Sequence, residues 1–498
     1  LESWRNPLIL GSVLLYLGIC VVVGLWALRR THSSRDFFMA GRHLGFLVTG
    51  IAIFSSSMSG FGFVGGPGLV YALGISSLWI MLPISLSPAI SDFLLGKRLR
   101  LFAGYFDTVS LPDAVAARYG SETARLLTAV AILLGVMGYL ATQILAMATV
   151  LQSILQRFAL SSDISLAACM AISCSVLVFY CVTGGVIASV YTDLVQGAVM
   201  VVAGVLVFVT AVYAFDGGPP AAMALMRADD PEAIGPWGTL GMVGCLSWYL
   251  LFAVGAAGQP HLLTKTMMIR RPEAYRFVPV VNIVGFCMTA LLWISIGLAM
   301  RALVLSGAHP ELATPDAAAP EFLQTYAHPL LAGVVFAGLF AAIMSTADAF
   351  LNIGAAALVH DIPQALRGRP LRRELLWARL GTVALALVAA LFALYSFYYN
   401  DRLIALLGAF GWGTFAAALV PAVAIGLNWK RATPLAANVA IASSLVLNFG
   451  IEIFDLAIPG GVHGGTLALI VSLALFFGIS FASKAPRIDP EIEALMDL

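Results

Sequence analysis

Apolar residues in this 498-residue chain gather into long runs instead of alternating with polar ones. Windows of this kind lie at 7–28, 43–72, 75–96, 122–156, 164–182, 186–215, 238–264, 276–304, 328–360, 374–399, 402–428, 433–454 and 462–483. A helix needs about 20 residues to cross roughly 30 Å of hydrocarbon. The pattern therefore predicts an all-α integral membrane protein of about thirteen transmembrane helices. It forms a single transmembrane domain over 1–484, followed by a short cytoplasmic tail at 485–498. The first window is too long for a cleaved leader, and Arg29-Arg30 follows it where a small-residue cleavage site would stand.

Composition agrees with that reading. Hydrophobic residues make up 60% of the chain and charged residues 11%, with a mean hydropathy of +0.95. Soluble domains carry about 25% charged residues. A net charge of +1 offers no basic surface for nucleic acid. The six cysteines all lie in apolar runs, without the spacing of a disulfide framework or a zinc ribbon. Nothing in the sequence sets an oligomeric state.

Charge placement supplies an orientation. With the N-terminus outside and thirteen crossings, all basic residues fall in cytoplasmic loops except Arg5, Arg157, Arg227, Arg301 and Arg402. A miscounted helix would scramble that partition, so the positive-inside rule predicts a plasma-membrane protein with its N-terminus out and its C-terminus in. Lys265 belongs to the cytoplasmic set on this reading, and no basic residue lies within a span.

Two spans are interrupted. The second reads Ile51-Ala-Ile-Phe-Ser-Ser-Ser-Met-Ser-Gly60 and then Phe-Gly-Phe-Val-Gly-Gly-Pro67-Gly; the seventh contains Gly255-Ala-Ala-Gly-Gln259-Pro260-His261. Backbone that leaves the helix at membrane depth survives only when buried in protein or lining a wet cavity. Gly and Pro also mark simple close packing in membrane helices. Interruptions at matching positions in two halves, here five spans apart, instead indicate a transporter site between inverted repeats.

Few acids lie within spans. Asp193 in the sixth and Asp348 in the ninth fall at compatible depths, where an unpaired carboxylate costs a few kcal/mol on insertion scales, about 3. Asp92 reads as an interfacial ion-pair partner of Lys97 and Arg98. In the ninth span Ser345, Asp348 and Asn352 share a helical face, and Thr346 adjoins Ser345. Hydroxyls from this span with carbonyls freed at the broken second span make an oxygen cage for a hard cation. Ser and Thr in membrane helices also bond back to their own i−4 carbonyls, which needs no ion.

The chain resembles the sodium:solute symporter family, which includes bacterial proline and pantothenate carriers and animal sodium/glucose transporters. The resemblance runs from about 7 to 484. It is carried by Asp36-Phe-Phe-Met-Ala-Gly-Arg42, Ser59-Gly with Gly65-Gly-Pro-Gly-Leu-Val-Tyr71, and Thr183-Gly-Gly with Tyr191-Thr-Asp193-Leu-Val-Gln196-Gly. Gly258-Gln-Pro-His261, Ala341-Ala-Ile-Met-Ser-Thr346 and Asn428-Trp-Lys-Arg431-Ala-Thr433 complete it.

The resemblance implies a LeuT-like core of two inverted five-helix repeats (43–215 and 238–428), with an extra helix at 7–28 and two at 433–483. It implies alternating-access import of a small organic solute coupled to Na+. The sodium ligands would be carbonyls of Ser55, Met58 and Ala342 with side-chain oxygens of Ser345 and Thr346. Asp193 matches an acid tied to cation coupling and, in some members, to a second sodium; Asp193 and Asp348, the latter where some members have serine, would hold a second cation or a proton. Solute would bind near Ser56, Ser57, Ser59, Tyr139, Phe252, Ala256 and Gln259. The proline carrier has an acid at the position of Ser57 and aromatics at those of Phe252 and Ala256; the smaller side chain at 256 implies a roomier pocket than proline needs, so proline itself is not the expected solute. The expected solute is an amino acid or monocarboxylate, with a sugar or polyol as the alternative. A transporter-like sensor signalling to a kinase is a second alternative. No nucleophile–base pair or metal cluster in the spans suggests an enzyme.

Overall fold

The computed structural model describes residues 4–40, 44–157, 164–399 and 404–497. The windows' starts at 43 and 402, with Arg42 and Arg402, lie outside the described residues. Within them the chain is helical throughout, apart from loops and one isolated bridge between Leu44 and Ile269.

Eleven continuous helical stretches among the described residues are long and apolar enough to cross a membrane, and the shorter Phe46–Ser57 adds half a crossing. The 48-residue stretch Leu166–Tyr213 bends at Gly185. At 1.5 Å per residue it is about 72 Å long, two crossings' worth. Gly185 has φ 53, and a Cβ there would lie 2.8 Å from the Phe37 carbonyl, so only glycine fits the bend. The stretch Phe61–Tyr105 divides at Gly74, φ 66.

Among the described residues, dividing these two stretches and joining Phe46–Ser57 to its continuation gives thirteen spans. Span 1 is Arg5–Leu28, span 2 is Phe46–Ser57 with Gly66–Leu73, span 3 begins at Leu78–Ser91, and span 4 is Glu122–Leu155. Spans 5 and 6 are the two arms of Leu166–Tyr213. Span 7 is Gly241–Gly255 with Pro260–Thr266, span 8 is Val278–Leu305, and span 9 is Pro329–Ala356, running on to Arg367. Spans 10 to 13 are Glu374–Tyr399, Ile404–Leu419, Pro434–Ile453 and Gly464–Ala482.

Span 9 packs along span 6, and span 1 lies against both. Span 11 packs on span 4; span 8 covers the far half of span 2 and span 3; spans 12 and 13 pair and cover span 11. The apolar window of span 11 is 94% buried and that of span 1 is 22% buried, so span 11 is central and span 1 peripheral. Both breaks sit in this centre.

The breaks share one backbone conformation. Met58 has φ −85, ψ 105 and Gln259 has φ −79, ψ 105, each an extended residue between two helical halves. Freed groups find partners: the Gly60 amide donates to Gln143 Oε1 of span 4 at 2.8 Å, and the Gln259 carbonyl accepts from Leu262 and Leu263. Gly60 is required by close approach, since a Cβ there would lie 2.5 Å from the Ala146 Cβ.

Candidate ion and substrate site

The first break meets span 9 face to face. Thr346 Oγ1 lies 2.9 Å from the Ser56 carbonyl, 3.2 Å from the Ala342 carbonyl and 3.5 Å from the Met58 carbonyl. A hydroxyl has one hydrogen, so buried carbonyl oxygens here outnumber the donors. A bare monovalent cation is the group that relieves such an excess of oxygen acceptors. Ser345 Oγ lies 3.2 Å from Ser55 Oγ and 3.0 Å from Ser56 Oγ, and all four side chains are fully buried. Ser55, Met58, Ala342, Ser345 and Thr346 are thus brought together. Ser55 makes its contact through its hydroxyl, while the carbonyl nearest Thr346 is that of Ser56.

Asp193 of span 6 comes to the same place, through a residue that the sequence reading put elsewhere. Lys265 is not in a cytoplasmic loop: it ends the second half of span 7, buried, with Nζ 2.7 Å from Asp193 Oδ2. The ammonium also donates to Ser56 Oγ and to the Ala52 carbonyl. The break shortens each half of span 7, so a lysine six residues beyond Gln259 still lies inside the protein. Asp193 Oδ1 is buried without a hydrogen-bond partner. A chain of contacts, Asp193–Lys265–Ser56–Ser345, therefore joins an ion pair to the hydroxyl cluster.

Asp348 is held apart from that cluster. Its carboxylate accepts from the Tyr180 hydroxyl at 2.5 Å and the Ser189 hydroxyl at 2.7 Å, and Tyr180 also contacts Thr192 Oγ1. Ser345, Asp348 and Asn352 share a helical face in sequence, yet Asp348 meets spans 5 and 6 while Ser345 meets span 2.

Between the breaks stands a buried aromatic cluster. Phe61 stacks on Phe252, with centroids 5.8 Å apart, and Phe252 lies 5.3 Å from Trp412 of span 11. Tyr139 of span 4 lies 4.8 Å from Phe350 and puts its hydroxyl 3.3 Å from Ser59 Oγ. Gln259 Nε2 donates to the Gly255 and Trp412 carbonyls, while Gln259 Oε1, Trp412 Nε1 and His261 Nδ1 are buried without partners. Native interiors leave few such atoms. An unpaired acceptor, an unpaired donor and an imidazole beside aromatic walls suit a small solute with an apolar body and a polar head. Ser57 turns away, bonding to the Ile53 carbonyl of its own helix at 2.7 Å. Ala256 is buried, and its carbonyl faces Ser91 of span 3 at 3.5 Å.

A sequence profile described as the sodium:solute symporter family matches residues 37–445, well over half of the chain. The chain belongs to the sodium:solute symporter family. Sodium is accordingly its coupling ion, and it is a multi-pass membrane transporter rather than an enzyme. The symporter is 26% identical over 496 residues to the osmoregulated proline transporter OpuE of Bacillus subtilis, covering 96% of this chain and 95% of that one. It is also 26% identical to a sodium/proline symporter of Staphylococcus aureus, covering 97% and 94%. Among solved structures, a Na+-coupled sialic acid symporter in a substrate-bound outward-open state superposes with a TM-score of 0.76 at 16% identity, covering 97% of this chain and 99% of that one. Mhp1, a nucleobase-cation-symport-1 family transporter, gives a TM-score of 0.54 at 15% identity over 93% and 98%. These likenesses establish the LeuT-like fold.

One further sequence expectation fails. Asp92 of the symporter is not an interfacial partner of Lys97 or Arg98; it is buried and accepts from the Tyr275 hydroxyl at 2.7 Å and from the Asn282 amide. Span 3 winds through a wider turn at Asp92–Gly96, which swings Asp92 toward span 8. The sequence reading does not single out Trp412, Phe350, Gln143 or His261 beside the breaks. His261 stood in the Gly-Gln-Pro-His motif, the one signal that pointed to it; the others look in sequence like ordinary span residues.

Proposed function

We propose that the symporter imports a small amino acid together with Na+ held where span 2 breaks against span 9. The observation that carries this reading is the surplus of buried oxygen acceptors around Thr346 beside a buried aromatic cluster with unpaired polar atoms. Proline transporters among its relatives support the solute class. In this reading the Ser56, Met58 and Ala342 carbonyls with the Ser345 and Thr346 hydroxyls hold the ion as five ligands, and the Ser55 carbonyl is a candidate sixth. Ser59, Tyr139, Phe252, Gln259 and Trp412 contact the solute, with Ser56, Ser57 and Ala256 shaping the break.

Asp193, paired with Lys265, positions Ser56 and through it the ion. Asp348 carries a second cation or a proton. The N-terminus lies outside and the C-terminus inside, with 43–215 and 238–428 as the rocking repeats. One charge crossing 100 mV yields about 2.3 kcal/mol and a tenfold Na+ gradient about 1.4. Together they support roughly 500-fold accumulation per coupled ion.

The test is uptake of labelled proline, other amino acids, monocarboxylates and sugars into proteoliposomes, with and without an inward Na+ gradient. Sodium-driven accumulation of an amino acid is expected. Accumulation of a sugar or carboxylate alone would overturn the solute assignment, and binding without accumulation would point to a sensor. Asp348→Asn should change the sodium-to-solute ratio or the pH profile; if neither moves, Asp348 is structural.

A further inference from the structure

On the face that carries the basic loops, a second polar cluster joins three helices, and one cavity is lined both by its Ser110 and Asp361 and by His261 and Lys265 beyond the second break. Asp113 lies on Leu111–Tyr119, the short helix before span 4; His360 and Asp361 lie on the extension of span 9; Glu374 opens span 10. One potential ligating atom from each of Asp113, His360 and Asp361 lies within 4.8 Å of the others. His360 Nε2 is 3.2 Å from Asp113 Oδ2, close to the spacing of two ligands on a tetrahedral ion.

Each of the three is held from behind. His360 Nδ1 is 2.7 Å from Glu374 Oε1, which fixes the ring and leaves Nε2 facing the cluster. Arg125 binds Asp113 Oδ1, and the Ser110 hydroxyl donates to Asp361 Oδ1 at 2.5 Å. Carboxylate–histidine pairs and oriented carboxylates of this kind are the outer shell of protein metal sites. Independently of these bonds, Asp361 Oδ2 is fully buried and has no partner. Among the described residues, Arg125 is the cation paired with Asp113 and Glu122 beside this cluster. An open depression lined by Asp107, Asp113, Glu122 and Arg125 reaches Asp113 from the surface.

We infer that Asp113, His360 and Asp361 form a divalent-cation site of the imidazole-plus-carboxylate class that Zn2+, Co2+ or Mn2+ takes. Its ligands tie the inner end of span 9, the helix bearing Ser345 and Thr346, to the helix before span 4. An ion there holds those elements together and slows the movement between them that transport needs.

The experiment titrates Zn2+ alone into the purified full-length protein by calorimetry, and measures transport in proteoliposomes with Zn2+ on one side or the other. One high-affinity ion per chain is expected. Binding should weaken at least tenfold in His360→Ala and in Asp361→Asn, and by less in Glu374→Gln, which keeps an outer-shell oxygen acceptor but removes its charge. Zn2+ on the basic-loop side should slow wild-type transport and spare Asp361→Asn. Thermal unfolding of each variant separates lost ligands from lost fold, and Glu374→Gln keeps all three ligands should either ligand variant misfold. Equal Zn2+ affinity in wild type, His360→Ala and Asp361→Asn would place the ion elsewhere, and no binding at all would leave the cluster as a protonated-histidine ion-pair network. Either result overturns the site, and neither touches the sodium-coupled reading.

Discussion

Replacing Asp193 by Asn strands a charge that the fold has buried. The Lys265 and Asp193 side chains are 3% and 0% exposed, with 2.7 Å between ammonium and carboxylate. Without the carboxylate's charge, the ammonium keeps only neutral acceptors, namely the Ala52 carbonyl, the Ser56 hydroxyl and the new amide oxygen. Removing one partner of a buried pair costs about 3–5 kcal/mol, whereas removing both together is often close to neutral. Asp193→Asn should therefore lower the unfolding free energy by about 3–5 kcal/mol, a large share of the ~5–15 that a folded domain holds. Asp193→Asn with Lys265→Met should recover most of that loss. The assay is unfolding of the purified protein in graded denaturing detergent, read as a double-mutant cycle. A loss under about 1 kcal/mol for the single variant, or a double variant as unstable as the two singles added, would refute a closed ion pair at this depth.

Other outcomes follow from the same geometry. Burial pushes the Asp316 carboxyl, in the loop before span 9, up to about 7, partly offset by the Ile404 amide bonded to it. The folded protein then holds a proton that the unfolded chain has already released above the ordinary aspartate range. Stability should fall as pH rises toward 7, by up to about 1.4 kcal/mol per unit; thermal unfolding across pH should show that slope, and Asp316→Asn should flatten it. Tyr139→Phe removes the hydroxyl beside Ser59 and should cost about 1 kcal/mol, a roughly fivefold higher half-saturating solute concentration in uptake. Gly185→Ala forces a Cβ onto the Phe37 carbonyl at positive φ and should destabilise by at least about 1–2 kcal/mol in the same unfolding assay.

What could be read from the chain alone divides along a physical line. The crossings and both breaks were legible because helix length, glycine and proline act locally, and the hydroxyl pair at Ser345 and Thr346 stood next to an acid in one span. Lys265 was not legible, because its meaning depends on Asp193, 72 residues earlier in the chain, and on a break that draws the lysine inward. Asp92 was misread for a related reason: nearby Lys97 and Arg98 suggested partners, while those it takes, Tyr275 and Asn282, lie more than 180 residues away. Trp412 and Phe350 look like any apolar span residue until the spans are packed. Local rules located the site's framework; its charge balance and its walls came from contacts between spans.

Sodium dependence of uptake in the Ser345→Ala, Thr346→Ala double variant tests the central claim most directly. If the ion sits between the broken span 2 and span 9, the sodium concentration for half-maximal uptake should rise at least tenfold, equivalent to about 1.4 kcal/mol or more of lost binding. An unchanged sodium dependence, with uptake still active, would contradict it.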